Sequence, residues 1–109
     1  MVQEPLDHVF HALSHPARRA MLATLTLGER NIGELAAPHA MSFAAASKHV
    51  RVLEGAGLVA RRVEGRNHVC ALQAEPLSKA EAWLSFFEGF WNRKLDALKA
   101  VLKARKETP

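Results

Sequence analysis

The stretch that decides the fold is Met41-Ser42-Phe43-Ala44-Ala45-Ala46-Ser47-Lys48-His49-Val50-Arg51-Val52-Leu53-Glu54-Gly55-Ala56-Gly57-Leu58-Val59. Ser42 is suited to cap a helix start and Gly55-Ala56-Gly57 to close its end, so the spacing predicts a helix running to about Glu54. On a helical wheel Ala46, Val50 and Leu53 fall within about 60° of one another, with His49 at the edge of that arc. Ala44, Ser47, Lys48 and Arg51 fall on the other side. One face is apolar and packs inward, while the other is small near its start, then polar and cationic. A helix entering a DNA major groove needs that second kind of face: small residues at close approach, hydroxyls that donate or accept, and Lys or Arg for guanine edges or phosphates. A solvated amphipathic helix looks the same in isolation, so the neighbouring segments decide.

Upstream, Asn31-Ile32-Gly33-Glu34-Leu35-Ala36-Ala37-Pro38 reads as a short helix. Asn31 is its cap, Glu34 stands in the reciprocal capping position, and Pro38 limits it to about two turns. Two capped helices with so short a join have the spacing of a helix-turn-helix. Further back, Leu6, Val9, Phe10 and Leu13 have helical spacing, and Pro16 restarts a second helix whose stripe is Ala17, Ala20, Met21 and Leu25, ending at Gly28. Arg18 and Arg19 lie off that stripe.

Downstream the period changes. Val59–Val63 and Asn67–Leu72 read as two strands around the turn Glu64-Gly65-Arg66. The hairpin carries Arg61, Arg62 and Arg66, and Arg66 and Asn67 sit at its tip. Such a ribbon can follow a phosphate backbone or reach a minor groove, and its charges also guard an edge strand against aggregation. The last segment is expected to be one helix from about Lys79 to Arg105, roughly 40 Å long, with Ser78 as cap and Glu81 completing a capping box. Its apolar residues, Trp83, Leu84, Phe86, Phe87, Phe90, Trp91, Leu95, Leu98, Val101 and Leu102, spread over about 180°, whereas a helix serving one small core needs a stripe of about 100°. So wide and aromatic an arc suits two partners, the chain's own domain and a second copy, the alternative being a wide face that serves the internal core alone.

Composition agrees with a single folded domain. The chain has 109 residues, 15 Lys+Arg against 11 Asp+Glu, and a formal net charge of +4. The excess is uneven: residues 42–74 hold five basic and two acidic groups, a net of +3. That makes a polyanion the expected partner of the middle third. One cysteine, Cys70, allows no intrachain disulfide and no Cys-rich zinc module, which fits a reducing, cytoplasmic setting. No apolar run reaches the roughly 18 residues of a membrane span, and Met1–His8 lacks the pattern of a signal peptide. No nucleophile, acid–base pair or phosphate loop is legible, so an enzyme is not expected.

With those residues in view, the chain resembles the ArsR/SmtB family of winged helix-turn-helix repressors. The likeness rests on Ala12-Leu13-Ser14-His15-Pro16-Ala17-Arg18-Arg19, on the Met41–Val59 stretch with its S-x-H-V-R-V-L-x-x-A-G-L-V string, and on Arg61-Arg62-Val63-Glu64-Gly65-Arg66. It covers nearly the whole chain. The resemblance implies a mostly α fold of five helices and a β-hairpin wing, in one domain spanning 1–109. Within it the helix-turn-helix lies at about 31–55, the wing at about 58–73 and a long C-terminal dimerisation helix at about 78–105.

It further implies a homodimer reading a palindromic double-stranded operator. Ser42, Phe43, Ala44, Ser47, Lys48 and Arg51 are then the reading residues and Arg61, Arg62, Arg66 and Asn67 the wing contacts. Phe43, at a position usually polar in the family, either meets a thymine methyl or packs. The expected dimer interface is Trp83, Phe87, Phe90, Trp91, Leu95, Leu98 and Leu102. The family's familiar metal sites require paired Cys before the turn or Asp and His ligands in the last helix. Here the first place reads Asn31-Ile32-Gly33-Glu34-Leu35 and the second has no His from Lys79 onward, so no metal or other cofactor is expected.

His8, His11 and His15 would share a face only on one continuous helix, which Pro16 argues against. Cys70, between Val69 and Ala71, suits a half-buried thiol better than a redox switch. A protein-interaction module on the same fold, without sequence-specific DNA binding, is the alternative; salt-sensitive preference for a palindrome separates the two. No effector is legible.

Overall fold

The computed structural model describes residues 4–107. In chain order it holds α1 (Pro5–Leu13), α2 (Pro16–Leu25), β1 (Arg30–Asn31), α3 (Ile32–Ala36), a single 3-10 turn (Ala37–His39), α4 (Phe43–Gly55), β2 (Val59–Glu64), β3 (Asn67–Leu72), α5 (Glu75–Ser85) and α6 (Glu88–Glu107). The mostly helical, winged fold expected from the sequence is present, with six α-helices.

Local signals set the boundaries. Asn31 Oδ1 accepts from the Glu34 N–H at 2.8 Å while Glu34 Oε1 accepts from the Asn31 N–H at 3.0 Å, a reciprocal cap that starts α3. Ser42 Oγ accepts from the Ala45 N–H at 3.1 Å and starts α4. α4 ends in a Schellman closure: the Leu58 N–H donates to Leu53 O and the Gly57 N–H to Glu54 O, both at 2.9 Å. Gly57 takes the left-handed φ of +76° that this closure needs. The turn joining α3 to α4 contains Ala40 at φ +50°, a conformation that costs an L-residue about 1–2 kcal/mol.

The sheet is antiparallel in the order β1-β3-β2. β3 sits in the middle, with Cys70 opposite both Arg30 of β1 and Arg61 of β2. Gly65 stands first in the two-residue turn between β2 and β3 at φ +61°, where the twist of a tight hairpin calls for glycine. β1 was not expected from sequence; it is two residues long, and its pairing to Val69 and Cys70 ties the wing to the helices.

The core gathers Ala12, Met21, Leu22, Leu25, Ile32, Leu35, Ala46, Val50, Leu53, Leu58 and Cys70, with Leu77 of α5 packed against it. The three inward residues of α4, Ala46, Val50 and Leu53, are fully buried. Burial pushes the Cys70 thiol up, which keeps it neutral and unreactive.

The C-terminal segment differs from the single helix expected. α5 starts at Glu75, where Pro76 occupies the first turn, so Ser78 lies inside the helix and donates its O–H to Glu75 O at 2.6 Å instead of capping. At Phe86–Phe87 the ladder tightens, with the Phe87 N–H bonding Leu84 O at 3.0 Å, and α6 begins at Glu88. Phe86, Phe87 and Gly89 are weak helix formers, which permits the interruption. No residue of α6 is buried.

Candidate nucleic-acid interface

α4 is fixed from inside and free outside. With Ala46, Val50 and Leu53 sealed in the core, Phe43, Ala44, Lys48 and Arg51 stand exposed on the outer face, and Ser47 is half-buried beside them. Phe43 is 57% exposed, so it does not pack into its own domain. Ser42 stands exposed at the helix start; its Oγ lone pair is spent on the cap, which leaves its O–H to donate.

The wing arginines are not equivalent. Arg61 Nη2 meets Glu54 Oε1 at 3.0 Å and so ties the base of β2 to the end of α4. Arg62 meets Glu29 at 2.6 Å and Glu64 at 2.7 Å. The hydrogen bonds that Arg62 donates to Glu64 and then to Glu29 raise its pKa above its ordinary value. Arg66 and Asn67, at the tip, are exposed. Among the described residues Lys48, Arg51 and Arg66 form no ion pair. Sequence reasoning set all three wing arginines side by side, because Glu54 and Glu29 lie on other elements and only Glu64, two residues from Arg62 on the same strand, is a local partner.

A second polar group beside α4 was missed altogether. Arg18, placed off the apolar stripe of α2, is 7% exposed and reaches from α2 to the end of α1 and to His49 of α4. His15, just before Pro16, holds its Nδ1 3.0 Å from the Ala17 N–H as the cap of α2. The available signal was His15-Pro16: a residue before proline is held extended, and His15 sits at φ −115°, ψ 131°.

Residues 13–62, from the end of α1 to the middle of the wing, match a family model described as a helix-turn-helix domain. The HTH-type transcriptional regulator Rv2034 of Mycobacterium tuberculosis is 35% identical over 89 residues, which cover 82% of this chain and 80% of that protein. The crystal structure of an ArsR family transcriptional regulator, RHA00566, is 37% identical and superposes with a TM-score of 0.74 over 82% of this chain and 98% of the other.

The chain belongs to the ArsR family of transcriptional regulators. As an ArsR-family member it is a DNA-binding regulator with a winged helix-turn-helix, and not an enzyme. A third neighbour is similar at 26% identity and a TM-score of 0.62, over 78% of this chain and 79% of its own. It is the homodimeric winged helix-turn-helix DNA-binding domain Mb0332 of Mycobacterium bovis, a possible ArsR-family regulator. In this ArsR-family chain no three His, Cys, Asp or Glu side chains converge on a metal-sized site among the described residues. His8, His11 and His15 do not form a common face, since α1 stops at Leu13 and His15 is the cap of the next helix. No helix among the described residues is long and apolar enough to cross a membrane.

Proposed function

We propose that the protein is a cytoplasmic homodimeric repressor that lays α4 in successive major grooves of an imperfectly palindromic operator. The observation that carries this is the outer face of α4, where Lys48 and Arg51 are exposed and unpaired on a helix whose opposite face is locked in the core. Arg51 and Lys48 serve for base edges or phosphates, Ser42 and Ser47 for hydrogen bonds, Ala44 for close approach and Phe43 for a thymine methyl. Arg66 and Asn67 take the backbone beside the groove. Arg61 and Arg62, already bound to Glu54, Glu29 and Glu64, brace the wing first and reach phosphate second.

The second copy docks on α5 and α6. In a single chain Phe90, Trp91, Leu95, Leu98 and Leu102 are about half exposed on α6 (46%, 62%, 51%, 54% and 50%). Such a row of large apolar groups marks a protein interface. Beside them an open, mainly apolar groove of about 650 Å³ is lined by Leu13, Leu77, Ala80, Leu84, Phe87 and Trp91, with Glu81, Ser85 and Glu88 also on its wall. Trp83 stacks edge-on against Phe10 of α1 at 5.8 Å and against Phe87 at 5.0 Å, so α5 anchors the interface to its own domain. Two reading helices related by a two-fold axis address half-sites roughly 34–36 Å apart, and occupation of such a site blocks transcription from it.

The test is recovery of genomic DNA bound by the protein, with footprinting of the recovered fragments. Two protected half-sites one helical turn apart, bound in a salt-sensitive way, are expected. Uniform, sequence-independent protection would replace this reading with that of an interaction module.

A further inference from the structure

The cluster formed by Arg18, His15 and His49 lies where α4 meets the corner between α1 and α2. Arg18 Nε donates to Ala12 O at 2.8 Å, a carbonyl that Pro16 cannot serve, and Nη2 donates to His11 O at 2.9 Å beside the N–H and O–H of Ser14. The remaining arm, Nη1, lies 3.1 Å from His49 Nδ1. A guanidinium has donors only, so Nδ1 of His49 must be the acceptor and its ring proton must sit on Nε2. His15 is in the same state, since its Nδ1 accepts the Ala17 N–H. The two rings lie 4.4 Å apart at a 50° tilt.

The charged and titratable groups facing His49 are Arg18 of α2, His15 of the α1–α2 corner and His39 of the 3-10 turn, all of them basic. Burial, and then these three neighbours, hold the His49 pKa below its ordinary value. A proton arriving on Nδ1 would point at the Arg18 N–H, turning a hydrogen bond into a clash of like charges.

We propose that Arg18 is a positioning residue for the reading helix: through His49 it sets α4 against the α1–α2 corner, and protonation of His49 releases that hold and weakens reading of DNA in acid. Lys48 and Arg51 flank His49 on the same turn of α4, so a shift of this turn displaces both. The folded chain favours neutral His49 and therefore binds fewer protons than the unfolded chain. Its contribution to stability is full above the ordinary histidine range and is lost as pH falls through that range and then through the lowered folded value. This inference rests on α4 being the DNA-reading helix. Simple electrostatics points the other way, because protonated histidines on a basic protein tighten its grip on a polyanion.

The experiment uses the full chain and a duplex that it selects from a random-sequence pool, at constant ionic strength, at about pH 7.5 and at an acid pH where the His49 ring resonance shows it protonated in the folded chain. Wild type is expected to bind about tenfold more weakly in acid, the scale of one charged hydrogen bond. His49→Asn places an acceptor oxygen near the Nδ1 position and does not titrate, so its affinity should change less than about twofold. His68→Asn, altered in the wing, should behave as wild type. Equal or tighter binding of wild type in acid overturns the proposal, as does a loss in His49→Asn matching that of wild type. In the free protein, α4 amides, corrected for intrinsic exchange, should open faster in acid in wild type and not in His49→Asn. Exchange that is indifferent to pH rejects the release of α4. Failure to select any duplex would instead reject the DNA reading, and exchange would still decide whether Arg18 and His49 position α4.

Discussion

The two ends of this molecule treat apolar residues in opposite ways. From α1 to β3, large side chains such as Met21, Ile32, Leu35, Leu53 and Leu58 are at most 2% exposed. From Trp83 to Leu102, side chains at least as large stand 38–81% exposed, and α6 buries nothing. The first region completes its own core and leaves only the scattered Leu27, Phe43 and Val63 as large exposed apolar groups among the described residues. The second keeps an exposed apolar surplus, which in the proposed dimer is what the second copy covers.

The largest expected effect breaks the second region. Phe87→Glu with Trp91→Glu should convert dimer to monomer in sedimentation, since buried interface aromatics cost about 2–4 kcal/mol each when lost. The far-ultraviolet signal of α1–α4 should survive. A dimer that persists would move the interface elsewhere. Next, Leu53→Ala should cost about 2–5 kcal/mol in denaturant unfolding at any protein concentration. The matching Leu98→Ala should cost little in the monomer and show itself as a concentration-dependent midpoint. Equal, concentration-independent losses at the two sites would erase the distinction between the regions.

Within the first region, Arg51→Ala should lose about 1–3 kcal/mol on a selected duplex and relax preference at one base pair. Arg61→Ala, which removes an ion pair with Glu54, should cost under about 1 kcal/mol in folding. If Arg61→Ala harmed binding more than Arg51→Ala, the reading face would lie on the wing instead of α4. The smallest effect is a gain: Ala40→Gly should stabilise the domain by about 0.5–1 kcal/mol, because it relieves a left-handed alanine. A loss on thermal melting would show that the side chain of Ala40 is itself needed in the turn.

What could be read from sequence was what depends on neighbours along the chain. The caps at Asn31 and Ser42, the inward triplet Ala46, Val50 and Leu53, and the glycine turn of the wing all follow from spacing of a few residues. What stayed hidden depends on distant elements meeting. β1 exists because Arg30 and Asn31 find Cys70 and Val69, and nothing in a two-residue segment announces a strand. Arg18 is buried because the end of the preceding helix offers it carbonyls, and Arg61 and Arg62 are engaged because folding brings Glu54 and Glu29 to them. The break at Phe86–Phe87 escaped notice because its apolar pattern runs through without interruption. Of the reading residues, the exposure of Ala44, Lys48 and Arg51 was legible; that of Phe43, left open between a thymine methyl and packing, was not, and neither was which wing arginines are free.

That break has a geometric consequence. α5 is fastened to its own domain through Trp83 and Phe10, while α6 departs from it after two residues. In the proposed dimer the angle at this joint would therefore be the gauge that spaces one reading head from the other. One extra residue at the joint would rotate α6 by about 100° and advance it about 1.5 Å, enough to throw the two heads out of phase with the helical repeat of DNA without touching a single base contact.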